Sequence, residues 1–198
     1  FFMRKHILMT LFLLLLFGAG GCILSLHSPF RPEDLQFDSA LVGKWLGQDM
    51  VWTFTALDKQ NGRYILKTEL REQPPGEFNA SLGVINSRQF LEILPTRPDA
   101  IHAKTFLGGH FVPMRSFWKV TLAGDALTLT PLSWEWLEDM LKQGKITLAR
   151  EKTADGLCFL TATTEELRQF LVEFGGDNGA FPVEGAEKGM QFVRAAKP

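Results

Sequence analysis

The chain is expected to fold as a mainly β domain, an antiparallel sheet curled into a barrel, with two amphipathic helices in its C-terminal half. Three observations point there. About ten short segments alternate apolar and polar residues between turn signals, the period-two pattern of a sheet with one buried face. Two later segments switch to apolar spacings of three and four, the helical period. The 198 residues, 45% hydrophobic and 12% aromatic, suffice for one sizeable core without disulfides.

Counting from Met3, the chain opens with Arg4-Lys5-His6, an apolar run from Ile7 to Phe17, and Gly18-Ala19-Gly20-Gly21-Cys22. A basic region, a short apolar region and a small-residue cleavage site is the order of a secretory signal peptide. Small residues ending on a cysteine resemble the lipobox of bacterial lipoproteins. The resemblance implies removal of residues 1–21, lipidation of Cys22 and anchoring to a membrane of the bacterial cell envelope. Ile23 in place of Asp after that cysteine implies the outer membrane, facing the periplasm. Two other readings stay open. Ile7–Leu26 is long enough for an uncleaved spanning helix, against which the four small residues count. Ordinary signal cleavage is the other, since Ala19 stands where a lipobox usually has leucine. Residues 22–37, with Pro29, Pro32 and little periodicity, are expected to form a lipidated tether, and 38–198 a single barrel domain.

The expected strands are Val42–Leu46, Met50–Ala56, Arg63–Leu70, Phe78–Ile85, Gln89–Leu94, Phe111–Leu122, Ala126–Thr130, Ile146–Arg150, Leu157–Ala162 and Met190–Arg194. Asn61-Gly62 signals a hairpin, because both residues tolerate the positive φ of a type I′ turn. Gly124-Asp125 marks a second tight turn, and Gly83, alone inside a strand, suggests a bulge. The first helix starts at Ser133, an N-cap, with Glu135, Glu138 and Asp139 near its positive end, and stops at Gly144. Trp134, Leu137 and Leu141 share one of its faces. The second opens with the capping box Thr163-Thr164-Glu165-Glu166, presents Leu167, Phe170, Leu171 and Phe174 on one face, and ends at Gly175-Gly176. Amphipathic helices must lie against the sheet, and they are expected to cover an open edge or mouth of the barrel.

Gly43-Lys44-Trp45 at the head of the first main strand resembles the Gly-x-Trp signature of lipocalins. In that family the indole closes one end of the barrel beneath an arginine from near the C-terminus. The resemblance implies a lipocalin-like barrel with Trp45 and Arg194 as the closing pair, and it loosely implies ligand binding. The two helices depart from the pattern, since a lipocalin completes eight meandering strands before its helix. On the residues alone, Trp45 reads equally well as a core aromatic.

With 21 basic and 22 acidic side chains the net charge is −1, and removal of Arg4 and Lys5 would make it more negative, which argues against nucleic-acid binding. Lipidation of Cys22 would leave Cys158 without a disulfide partner, and its apolar setting, Leu157-Cys158-Phe159-Leu160, reads as a small core residue. His27, His102 and His110 have no metal-ligand spacing, so no metal and no cofactor is expected. His110, in Gly108-Gly109-His110, is placed on a loop at the barrel rim. Glu165-Glu166 and Glu138-Asp139 diverge around their helices and are read as capping and solvated residues rather than acid–base pairs. No serine lies in a nucleophile elbow and no glycine-rich segment has phosphate-loop spacing, so no catalytic residue is named and no enzyme is expected.

Lipobox, first strand and aromatic inventory together lead to a lipid-anchored envelope protein that binds an apolar or amphipathic small ligand inside the barrel. Trp52, Tyr64, Met114, Trp118 and Trp136 are the candidate lining residues. The alternative is a non-enzymatic interaction or assembly lipoprotein with a solid barrel and an envelope protein as partner.

Overall fold

The computed structural model describes residues 23–96, 112–154, 156–185 and 188–196. Eight of its strands close a barrel: β2 (Gly43–Leu46), β3 (Met50–Asp58), β4 (Arg63–Leu70), β5 (Gly76–Ile85), β6 (Arg88–Pro95), β7 (Arg115–Ala123), β8 (Ala126–Pro131) and β11 (Met190–Arg194). Each pairs antiparallel with the next, and β11 pairs with both β8 and β2, so the ring has no free edge. Closure of this kind removes the unpaired backbone groups that make edge strands sticky.

Between β8 and β11 the chain leaves the wall and forms α1 (Trp134–Lys142), β9 (Arg150–Lys152), β10 (Cys158–Leu160) and α2 (Thr164–Phe174). Both helix starts follow their sequence signals. Ser133 Oγ accepts from the Trp136 N–H, and Thr163 and Glu166 form the reciprocal capping box. The helices do not cover an edge or a mouth, because a closed ring offers no edge. They lie on the outer wall, where Ile85, Phe90 and Phe117 meet Leu137, Leu167, Phe170, Leu171 and Phe181 in one buried cluster.

A second cluster fills the inside of the barrel, and the two are separated by the alternation of the strands. On β6, Phe90 belongs to the outer cluster and Leu91 to the inner one; on β7, Phe117 and Trp118 divide in the same way. The wall is apolar on both faces here, as a sheet covered on both sides requires.

Several expectations are corrected. Residues from Ile23 onward do not form a tether. Leu24–Ser25 is a short strand, β1, running parallel to β10 and antiparallel to the start of β7, and Ile23 and Phe30 are buried in the outer cluster. A bidentate ion pair fixes this segment: Arg168 Nε and Nη2 donate to the Asp34 carboxylate at 2.9–3.1 Å. Arg31 pairs with Glu165 on the same helix. Gly83 marks no bulge, for the β5–β6 register runs through it without a break. It makes room for the Phe30 ring, which a Cβ there would meet at 2.5 Å. The bulge is on β3, between Ala56 and Asp58.

Asn61-Gly62 does join β3 to β4, but only Gly62 has positive φ, and the Asp58 carboxylate organises the turn by accepting from Gln60 N, Asn61 N and Asn61 Nδ2. The two-residue turn with both φ positive is Asn86-Ser87, between β5 and β6. Ile146–Ala149 is not a strand, and β9 begins where that expected strand was to end.

Burial pushes the Asp34 carboxyl up, but hydrogen bonds from Arg168 and the Arg31 backbone outweigh it and hold the group below the usual range. A depressed carboxylate contributes stability above its unfolded pKa of about 3.9, and that contribution is lost as pH falls through the folded value. Asp34→Asn is therefore expected to cost about 1–3 kcal/mol at pH 7 in denaturant unfolding, and the deficit relative to wild type should shrink below about pH 4. A deficit that is the same at pH 7 and pH 3 would mean that shape rather than charge is what Asp34 provides.

Candidate functional site

One end of the barrel is closed by Trp45 and Arg194. Trp45 is fully buried on β2, and its Nε1 donates to the Leu41 carbonyl at 2.8 Å. Arg194, on the last strand and in register opposite Trp45, lies with its guanidinium 4.2 Å from the indole centroid. Its Nη1 donates to Val42 O at 2.9 Å, its Nη2 to Ala40 O, and its Nε to Asp125 at 2.9 Å. One side chain thereby ties the last strand to the coil before β2 and to the β7–β8 turn, and its flat face rests on the ring as a cation–π contact. Gly43 has φ +132°, and a Cβ there would come within 3.0 Å of Arg194 Nη1, so glycine at this position serves both backbone and cap.

Above the cap the lumen is filled. Phe54, Tyr64, Leu66, Leu82, Leu91, Leu127 and Leu129 are all buried to 1% exposure or less. Tyr64 belongs to the capped end. Its hydroxyl donates to Asp38 O and accepts from Asp38 N, its ring stacks on Phe37, and burial pushes its pKa up to about 12, so it stays neutral. It holds the segment before β2 and does not line a cavity. An eight-strand barrel is just wide enough for side chains to fill it or for one small ligand, and in this half side chains fill it.

The opposite end differs. Trp52 and Trp118 meet edge to face at 6.5 Å, and Trp52 also contacts Phe192 at 5.2 Å. Met50, Phe78 and Met190, each only partly buried, ring the same end. Trp118 Nε1 donates to Ser116 Oγ at 3.1 Å, whereas the buried Trp52 Nε1 has no hydrogen-bond partner among the described residues. A buried indole N–H ordinarily has one. Close by, a cleft of about 410 Å³ is bounded by Gly47, Met50, Gly189 and Met190 together with the polar side chains of Gln48, Lys188 and Gln191.

Of the five expected lining residues, Trp52 and Trp118 therefore come together at this end. Met114 is half-buried just before β7 and belongs to neither apolar cluster. Trp136 lies outside the barrel, between the helices, with Phe174 at 5.5 Å and Phe170 at 6.3 Å. The reason is connectivity: α1 starts after β8 has left the wall, so its apolar face can reach only the outer surface. Sequence reasoning does not reach Met50 and Met190 because each opens its strand, where alternation alone does not say which face is the lumen. Cys22, His102 and His110 lie outside the described residues, and His27 is exposed. Cys158 is only half-buried rather than a core residue. Among the described residues no group of three or more His, Cys, Asp or Glu could hold a metal ion, and no helix is long and apolar enough to cross a membrane.

Arg194→Ala is expected to lower stability by about 2–4 kcal/mol, from lost charged hydrogen bonds and the ring contact, whereas Asp125→Ala should cost under about 1 kcal/mol because that carboxylate is exposed. Guanidinium unfolding of both variants measures the difference, and equal losses would relocate the cap to the ion pair. Comparison with protein-family models, with curated proteins and with solved structures found no match for the chain.

Proposed function

We propose that this is a lipid-anchored, non-enzymatic binding protein of the bacterial cell envelope, held at the outer membrane through Cys22, whose barrel receives the apolar part of an amphipathic small molecule. The observation that carries the reading is the Trp52 indole N–H, buried without an acceptor among Phe192, Trp118 and the partly buried Met50, Phe78 and Met190. Apolar walls with a few placed polar groups are the usual make-up of a small-molecule site. A ligand there sits shallowly, its apolar part against methionine and aromatic side chains and a polar atom accepting from Trp52, because the capped half is filled. Methionine suits such a rim, since its unbranched side chain adapts to ligand shape.

The second reading is a solid barrel serving as an interaction platform. It is favoured by the packed capped half and by Leu46 and Val193, paired and exposed on the outer wall.

Extraction of the protein from its membrane without detergent, followed by native mass spectrometry, is expected to show one co-purifying amphipathic molecule per chain. Trp52→Phe, which keeps the ring and removes the donor, should weaken retention about fivefold, the worth of one neutral hydrogen bond. A wild-type protein with no retained species would sink the ligand reading and favour the platform. Independently, Cys22→Ser is expected to accumulate uncleaved precursor, and normal processing of that variant would overturn the lipid anchor.

A further inference from the structure

Glu92 is 8% exposed although it points away from the lumen, and Glu is seldom that buried without a full set of partners. It stands in a row across the outer wall. Arg63 on β4 is opposite Ser81 on β5, and Ser81 is opposite Glu92 on β6. Arg115, at the start of β7, approaches from the next strand. Arg63, Asn79, Ser81, Glu92 and Arg115 line a cleft of about 320 Å³, with Leu57 and Leu94 at its margins.

The Glu92–Arg115 pair is loosely made. Arg115 Nε lies 3.5 Å from Glu92 Oε2, a long ion pair, and among the described residues neither of these two buried atoms makes a well-formed hydrogen bond. The same molecule shows what a structural pair looks like, in the three hydrogen bonds between Arg168 and Asp34. Arg115 is itself held in place, since its Nη1 donates to Leu26 O at 2.7 Å. A buried carboxylate held by one long ion pair, beside a guanidinium in a polar cleft, leaves hydrogen-bonding capacity that a bound polar group can take up.

The charges select what that is. A simple anion meets the Glu92 carboxylate, and a simple cation meets Arg63 and Arg115. A molecule carrying both an N–H-bearing ammonium and an anionic oxygen satisfies each side, the ammonium donating to Glu92 and the anion accepting from the arginines. Burial pushes the Glu92 carboxyl up, against a hydrogen bond from Ser28, the charge and close contact of Arg115 and the charge of Arg63, and a bound ammonium would act in the same direction as these partners.

We infer that this cleft on the outer wall is a binding site for an amino-phosphate zwitterion of the ethanolamine-phosphate type. Resting on the proposed anchor at Cys22, the geometry points to an aminophospholipid headgroup as the source. Leu26, which Arg115 grips, is four residues from Cys22, so an extended chain keeps it within about 14 Å of the acylated residue. The headgroup layer is about 5–8 Å thick on each side of the hydrocarbon core, so a residue anchored there keeps Leu26 at or near the membrane surface.

The test is calorimetric titration of the full-length protein, reconstituted in phosphatidylcholine nanodiscs, with O-phosphoethanolamine, inorganic phosphate and ethylamine. Choline headgroups have no N–H to offer Glu92 and serve as the neutral background. Saturable one-to-one binding of O-phosphoethanolamine, at least tenfold tighter than either half-molecule, is expected. Arg63→Gln, at an exposed strand start, and Glu92→Gln should each weaken it at least tenfold, and the first keeps the test decisive should the second fail to fold. Replacing part of the phosphatidylcholine by phosphatidylethanolamine should suppress the titration. Undiminished binding in those discs would overturn the lipid source and leave a free amino-phosphate as ligand. No saturable binding, or equal binding of inorganic phosphate, would overturn the site. Failure of the anchor shows separately, in the processing of Cys22→Ser, and the O-phosphoethanolamine titration is then run on the unanchored protein in buffer, with the same outcomes deciding the site.

Discussion

The contact of Arg194 with Trp45 is the constraint on which the rest of the structure depends. A barrel closes only if its last strand returns to its first, and here the return comes after a long excursion through two helices and two short strands. Loop closure over such a distance is entropically costly, so the end of the chain needs a strong local reward. Arg194 supplies it, with two hydrogen bonds and a ring contact converging on the residues before and within β2 and a third hydrogen bond to the β7–β8 turn. The same contact seals one end of the barrel. Tyr64 and Leu41 complete the seal from below, each tied to the segment that Arg194 grips. On the proposed ligand-binding reading, any traffic with the interior is thereby confined to the opposite end.

The excursion has its own logic. A closed barrel has no edge to which further strands can add, so β1, β9 and β10 attach where β7 extends beyond β8. That places the N-terminal segment between the barrel wall and α2. Phe30 enters the space left by Gly83, Asp34 takes Arg168, and the segment joins the outer core instead of hanging free. The outer core thus needs the start of the chain as much as it needs the helices.

Much of the barrel was legible in the sequence because its signals are local. Alternation located the eight wall strands to within a few residues, Ser133 and Thr163 located both helix starts, and Gly43-Lys44-Trp45 with Arg194 pointed to the capped end. What was not legible depends on partners distant in the chain. Leu24–Ser25 is too short to show a period, and only β7 and β10, both distant in the chain, make it a strand. Gly83 reads as a bulge until Phe30 is known to lie on it. Trp52, Trp118 and Trp136 look alike as aromatics in periodic segments, and topology alone decides which side of the wall each occupies. The Arg63–Ser81–Glu92 row is a cross-strand register, invisible until three strands are aligned.

Under the proposed anchoring, these placements are not independent. β1 runs beside the start of β7, with Leu24 opposite Ser116 and Ser25 opposite Arg115. The start of β7 belongs to the end of the barrel away from Arg194, the end that carries Trp52, Trp118 and Met190. An anchor attached one residue before Ile23, with no tether between, would hold that end and the Glu92 cleft near the bilayer and turn the sealed end outward. An amphipathic molecule could then pass between membrane and barrel without crossing bulk water, which is the step that costs most for an apolar chain. The packing of Ile23 and Phe30 would in this way do what a flexible tether cannot: fix which end of the barrel the membrane meets.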